Sequence, residues 1–265
     1  MCRTHGPRCH GPSTSRAAQA ERQRRSRARR KQTQAEHHLE VGHVPSGLAA
    51  LADREPVATL RMSSETARTD ILTYADGSKA VRKAHDARAA SIGDPVAMCD
   101  AEELVATVHR ALGLRAAEVH RADPTTIYLE YVDGRRGDTV AAEERDATAG
   151  SEQGRLLGLA HLLTEEPDCN NDNWFIDTAE RLVAVDHGSS FQDWAAYGQT
   201  CPPTRFVRAL SESGSFPLPA ASIRERLLAT RPAFERLGRL AWWQAMLARA
   251  EALTRRPVTS PSPAG

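Results

Sequence analysis

The stretch that most limits what this chain can fold into is 168–191, which reads DCNNDNWFIDTAERLVAVDHGSSF. Its first six residues bring together Asp168, Asp172 and the amides Asn170, Asn171 and Asn173, a cluster too polar for an ordinary core. An apolar run at 174–176, the turn Asp177-Thr178-Ala179-Glu180 and a second apolar run at 182–185 predict a β-hairpin. That hairpin folds Asp186 back towards Asn173, and Gly188 is expected to supply the tight backbone bend beyond the strand end. Two oxygen ligands then face one point.

Such a pair suits Mg²⁺, a hard cation that takes one or two protein oxygens and completes its shell with water and substrate phosphate. Asp168, beside the metal but outside its shell, is left free to accept a proton. The order D-x-x-x-x-N, hairpin, D-x-G is the order in which kinases set an acceptor-orienting Asp, a metal Asn and a metal Asp. On these residues the stretch resembles the catalytic and metal-binding loops of the protein-kinase-like superfamily. The D-H-G at 186–188, after a D-x-x-N-x-N-type loop, most resembles the small bacterial relatives of the phosphatidylinositol 3-/4-kinases. The resemblance implies a catalytic Asp168, metal ligands Asn173 and Asp186, and ATP and Mg²⁺ as cofactors. Taken alone, the motif also fits a polar surface loop and hairpin.

The residues before this stretch extend the resemblance. Alternation predicts strands at 57–62 and 69–74, and Asp76-Gly77 predicts a two-residue hairpin turn into a third strand at 78–84. Period two puts Val81 and Lys83 on one face. Ala80-Val81-Arg82-Lys83 looks like the kinase strand whose lysine reaches the nucleotide phosphates, with Val81 as a roof over adenine; alone, Lys83 also reads as an exposed strand-end lysine. The glycine-rich loop of protein kinases is missing, and Ser63-Ser64-Glu65-Thr66 stands in its place. Ser63 and Ser64 are the expected phosphate cradle, a feature closer to the lipid-kinase side of the superfamily.

A helix is predicted over 100–112, with Leu104, Val105, Val108 and Leu112 on one face and Asp100 and Glu103 forming a capping box. Glu102, at the edge of that face, is the candidate partner of Lys83, and reads equally as a solvated first-turn glutamate. Strands at 118–120 and 127–132 bring the count to five. Asp133-Gly134 follows where a kinase-like hinge would lie, so the backbone from Glu130 to Val132 is expected to read the adenine. Residues 134–150 read as a linker. A helix from Ser151, with Leu156, Leu159, Ala160 and Leu163 in register, is stopped by Pro167 and delivers Asp168. His161 on that helix reads as packing. Beyond Phe191, two helical patterns follow, the second breaking near Gly238.

The expected fold is therefore α+β and bilobal: an N-lobe at 56–134, with a small antiparallel five-stranded sheet and one helix, and a mainly helical C-lobe at 135–256. The ends differ in kind. Residues 1–40 hold ten Arg and Lys against three Glu, leaving 25 basic against 31 acidic residues for the rest. Residues 1–55 are expected to be a basic, disordered arm, able to touch nucleic acid or another anionic partner, and 257–265 a disordered tail. Cys2, His5, Cys9 and His10 fall close together but without the second half of a zinc site. Five scattered cysteines, no apolar run of membrane-spanning length and no secretory leader predict a cytoplasmic protein.

Three departures bear on activity. Cys169 stands where a basic residue commonly follows the catalytic Asp, Glu166-Pro167 replaces the His-Arg of protein kinases, and nothing resembles their peptide-docking segment. The expected function is an ATP- and Mg-dependent phosphotransferase acting on a hydroxyl acceptor of unknown identity. The alternatives are an inactive pseudokinase serving as an interaction module, and a nucleic-acid-associated protein working through the basic arm. A metal-dependent hydrolase built on Asp168, Asp172, Asp186 and His187 would leave Lys83 and Glu102 idle.

Overall fold

The structure is a computed structural model that describes residues 47–62, 67–85, 93–168, 170–192 and 203–255. Ser63, Ser64, Cys169, residues 1–46 of the expected basic arm and the C-terminal tail lie outside them. The architecture is α+β: an antiparallel five-stranded sheet with one long helix, followed by a mainly helical region that carries a smaller sheet.

The large sheet comprises β1 (Ala58–Met62), β2 (Ala67–Thr73), β3 (Lys79–His85), β5 (Val119–Asp123) and β6 (Thr126–Glu130), in the order β1-β2-β3-β6-β5. The turn between β2 and β3 has three residues rather than two. Tyr74 N–H donates to Ser78 O, Gly77 N–H returns to Tyr74 O, and Gly77 takes φ 81°, the left-handed position such loops give to glycine. Period two separates the faces of β3. Ala80 joins Leu72, Tyr74 and Tyr128 on one side, whereas Val81 packs with Cys99, Ile127 and Leu129 on the other, the side of Lys83.

Ordered structure begins before Pro56, in the expected arm. Helix α1 (Leu48–Ala52) buries Leu48 and Leu51 against Leu72, Tyr74, Ala80 and Tyr128. A pair of leucines three apart in a short alanine-rich run is a weak signal by itself, and the sheet surface supplies what the helix lacks. On the same sheet face the buried Asp70 sits between Arg61 and Arg82, its cross-strand partners. Burial raises its carboxyl, but the Arg82 and Arg61 guanidinium groups outweigh this and hold it below the usual carboxylate range.

Helix α2 spans Pro95–Leu112, five residues longer than expected at its start. The N-cap is Asp94, whose side chain accepts Val96 N–H at 3.1 Å, with Pro95 at the first helical position. Asp100 and Glu103 form no capping box. Asp100 is buried mid-helix between Arg121 (2.5 Å) and Arg239 (2.7 Å), and Glu103 pairs with Arg236.

The smaller sheet joins β4 (Arg115–Ala116), β9 (Leu182–Ala184), β8 (Trp174–Asp177) and β7 (Gly134–Arg136) in that order, with β4 parallel to β9. The hairpin β8–β9 was legible in the sequence; its flanking strands were not. The stretch read as a linker contains β7 and helix α3 (Ala142–Gly150). Helix α4 (Glu152–Thr164) is capped by Ser151, which accepts Gly154 N–H at 3.0 Å, and ends where Glu165 turns left-handed at φ 52°. Helices α5 (Arg205–Ser213), α6 (Ala220–Leu228), α7 (Arg231–Arg236) and α8 (Leu240–Arg255) follow, with Gly238 (φ 68°) at the expected break. One core, including Leu104, Val108, Leu159, Trp174, Phe206, Phe234 and Met246, ties α2 and α4 to this region.

Candidate phosphotransfer site

Lys83 leaves the inner face of β3 and is almost wholly buried. Its Nζ lies 2.5 Å from Glu102 Oε1 and 2.5 Å from Asp186 Oδ1. Three elements distant in sequence, a strand, a helix and the loop after β9, thus meet at one ammonium group. Burial by itself favours the neutral amine. The Asp186 and Glu102 carboxylates outweigh it and hold Lys83 protonated, above the ordinary lysine range. Glu102 also anchors the loop, because its Oε2 accepts His187 N–H at 3.0 Å.

Asn173 and Asp186 come together as hairpin neighbours. Val185 N–H donates to Asn173 O at 2.9 Å, closing the ladder immediately before Asp186. The sharp bend is made by Asp186 itself, at φ 67°, not by Gly188. Left-handed backbone at a non-glycine residue costs on the order of 1–3 kcal/mol, near the low end for Asp, and is held by the contacts around it. Gly188 instead faces His85 and Met98 at ordinary contact distance. Desolvation raises the Asp186 carboxyl, but Lys83 outweighs it and holds it below the usual range. Its side chain remains 47% exposed, open to a ligand.

Asp168 sits on the preceding loop. Asn173 Nδ2 donates to Asp168 O at 2.9 Å, which commits the amide nitrogen to the loop. Asn170 donates to Asp168 Oδ1. Burial, then the Asp186, Glu166 and Asp172 carboxylates, push the Asp168 carboxyl up to about 6.

Glu166, a departure from the protein-kinase pattern in the sequence, has a part that local sequence does not reveal. It is buried. Its Oε1 accepts Asp168 N–H at 3.1 Å, while Oε2 lies 3.1 Å from His187 Nδ1 and accepts the Ser190 hydroxyl at 2.6 Å. Burial disfavours charge on His187, but the hydrogen bond to Glu166 outweighs it and raises its pKa. With Nδ1 on Glu166 and its ring edge-on to His109 at 4.8 Å, His187 is turned away from a role beside Asp186 in a metal-dependent hydrolase. Among the described residues no three His, Cys, Asp or Glu side chains converge as a metal-binding group. His161 is buried, 3.1 Å from Thr204 Oγ1, and burial pushes its pKa down to about 3.

The hinge-like residues are arranged unequally. Glu130 N–H is committed to Glu118 O at 3.0 Å, and its carboxylate to Arg115 and Glu118 N–H. Val132 is buried with Ala117 and Val183. Val81 lies on the same face as Lys83.

No family model and no characterised protein sequence matches the chain. Solved structures do resemble it. Rio2 kinase from Chaetomium thermophilum is 16% identical, with 78% of this chain and 76% of that chain covered and a TM-score of 0.45. HipA, in the Shewanella oneidensis MR-1 complex with HipB and operator DNA, is 13% identical over 76% of this chain and 66% of that one, TM-score 0.39. Macrolide 2'-phosphotransferase MphH from Brachybacterium faecium is 14% identical over 77% of this chain and 96% of that one, TM-score 0.36.

Proposed function

We propose that the chain is an ATP- and Mg-dependent phosphotransferase that passes the γ-phosphoryl group to a hydroxyl acceptor, of the phosphatidylinositol 3-/4-kinase-like type, with the ATP site between an N-lobe at 56–134 and a C-lobe at 135–256. The observation that carries this reading is the double contact of Lys83 with Glu102 and Asp186, because a buried ammonium shared by a helix carboxylate and a loop carboxylate is costly unless its charge is used.

The residues fit both groups. Asn173 Oδ1 and the half-exposed Asp186 carboxylate offer the one-amide, one-carboxylate set that suits Mg²⁺. Burial, and after it the Asp186, Glu166 and Asp172 carboxylates, raise the Asp168 carboxyl, and a cation among those carboxylates would relieve the repulsive part. Mg²⁺, when bound, neutralises charge on the phosphates. Lys83 holds phosphate oxygens, Val81 covers the base, and backbone groups around Val132 read its edge. Ser63 and Ser64 are the proposed phosphate cradle. Asp168 orients the acceptor hydroxyl and takes its proton as the oxygen bonds to the γ-phosphorus. The phosphorus–oxygen bond to ADP breaks in the same displacement, and ADP leaves with that electron pair. With a pKa of about 6, Asp168 is largely ionised at neutral pH and close enough to it to act as a base.

The test is calorimetric titration of ATP with and without Mg²⁺ into wild type and Asp186→Ala. Mg-dependent binding that is lost in the variant supports the reading; no binding under either condition overturns it and leaves a kinase-shaped interaction module.

A further inference from the structure

Beside the catalytic loop lies a cavity of about 220 Å³, lined by Pro167, Asn170, Asn171, Pro203, Thr204, Arg205 and Arg208. It is open to solvent and large enough to take a small polar molecule. Three observations define its chemistry.

It lies beside the Asp168 loop: Pro167 precedes that residue in the chain, and Asn170, which lines the cavity, donates a hydrogen bond to its carboxylate. A molecule in the cavity therefore shares the Asn170 side chain with the proposed base. Next, both charged residues of the lining are arginines, and both occupy the first turns of α5, where the helix dipole favours acidic side chains over basic ones. Stability of the helix does not account for them. Finally, they are not equivalent. Arg205 is paired with Asp146, whereas no acidic partner of the exposed Arg208 guanidinium is found among the described residues. The Asn170 and Asn171 amides and a guanidinium without an acidic partner among the described residues, all lining one polar cavity open to solvent, make a site for an oxyanion.

We infer that the acceptor is a small hydroxyl compound carrying an oxyanion, a phosphate above all, and that Arg208, with Asn170 and Asn171, binds this group in the cavity while the hydroxyl faces Asp168. This rests on the phosphotransferase reading for the word acceptor, but the anion site itself is testable without nucleotide. The same chemistry is found in a soluble phosphorylated polyol and in a glycerol-phosphate lipid headgroup.

Two measurements on the full chain separate the possibilities. Inorganic phosphate, glycerol 3-phosphate and glycerol are titrated in turn into wild type, Arg208→Gln and Asp186→Ala. Each protein is also sedimented with phosphatidylcholine vesicles with and without phosphatidylglycerol. The expected result is saturable binding of a phosphate-bearing probe and none of glycerol, weakened about tenfold in Arg208→Gln, as for loss of one charge-assisted contact, and retained in Asp186→Ala. Arg208-dependent binding of glycerol 3-phosphate assigns the oxyanion to a soluble acceptor; Arg208-dependent binding of phosphatidylglycerol vesicles alone assigns it to a lipid headgroup. Absence of saturable binding by every phosphate-bearing probe, or equal binding by wild type and Arg208→Gln, overturns the inference. Failure of the phosphotransferase reading shows separately, as absent Mg-ATP binding in wild type.

Discussion

Glu166 and His187, 21 residues apart in the chain, are joined inside the protein by a 3.1 Å contact between Oε2 and Nδ1. Because the other Glu166 oxygen accepts Asp168 N–H, one buried carboxylate ties the loop of the proposed base to the loop of the proposed metal ligand. Glu102 does the same between Lys83 and His187 N–H. Two buried carboxylates thus cross-link Lys83 and the two loops.

Glu166→Ala leaves His187 Nδ1, the Ser190 hydroxyl and Asp168 N–H without this partner. We expect a loss of about 1–3 kcal/mol in stability and, at temperatures where the variant is folded, a larger loss of turnover than of ATP affinity. Thermal melts beside steady-state kinetics check this; an unchanged Tm contradicts it.

The roles of the two aspartates separate by variant. Asp186→Ala is expected to abolish Mg-dependent nucleotide binding, and Asp168→Ala to spare binding while lowering the rate by about 10²–10⁴. Equal effects of the two on calorimetric ATP affinity contradict the assignment.

Lys83→Met strands the buried Glu102 carboxylate. Removing one member of a buried pair costs about 3–5 kcal/mol, so Lys83→Met should melt well below wild type, and Lys83→Met with Glu102→Gln should recover part of the loss. A double-mutant cycle reads this coupling; strictly additive effects would show that the pair is not coupled.

Asp168 gives the site a pH signature. Its folded pKa of about 6 lies above the ordinary value of 3.8. Between these two pH values the folded state holds a proton that the unfolded state has released, so this group's contribution to stability falls as pH rises and is fully lost above about pH 6. Asp168→Asn should therefore raise Tm at pH 8 by roughly 2–4 °C, taking the screened effect as about 1 kcal/mol, with little change at pH 4. In wild type, kcat/KM should fall on the acid side with an apparent pKa near 6. A flat Tm difference across this range removes the basis for that shift.

Much of the fold is legible in local pattern. Alternation in 79–85 separates Ala80 from Val81 and Lys83, and the two apolar runs around Asp177–Glu180 read as a hairpin because each needs only its neighbours to be recognised. The placement of Lys83, Glu102 and Asp186 at one point was legible only through the order of the motifs along the chain, since 103 residues separate Lys83 from Asp186. Helix α2 was misread at its start: Asp100 and Glu103 have capping-box spacing, but Asp94-Pro95 makes the stronger start, and Arg121 and Arg239 give Asp100 another use. Glu166 and Arg208 carried no usable signal, because neither residue's partners nor its burial can be read from nearby sequence.

The sequence by itself determined the periodicity of the strands and helices, the turns at Gly77 and Gly238, and the supply of carboxylates and amides between Asp168 and Asp186. Only the tertiary structure decided that Asp186 rather than Gly188 takes the left-handed bend, that Glu102 and Glu166 are buried anchors, and that Arg208 lines a cavity with Pro167 and Asn170. The physical reason is range. Backbone conformation and amphipathic pattern are set by residues a few positions apart, whereas desolvation and charge pairing depend on groups brought close by packing.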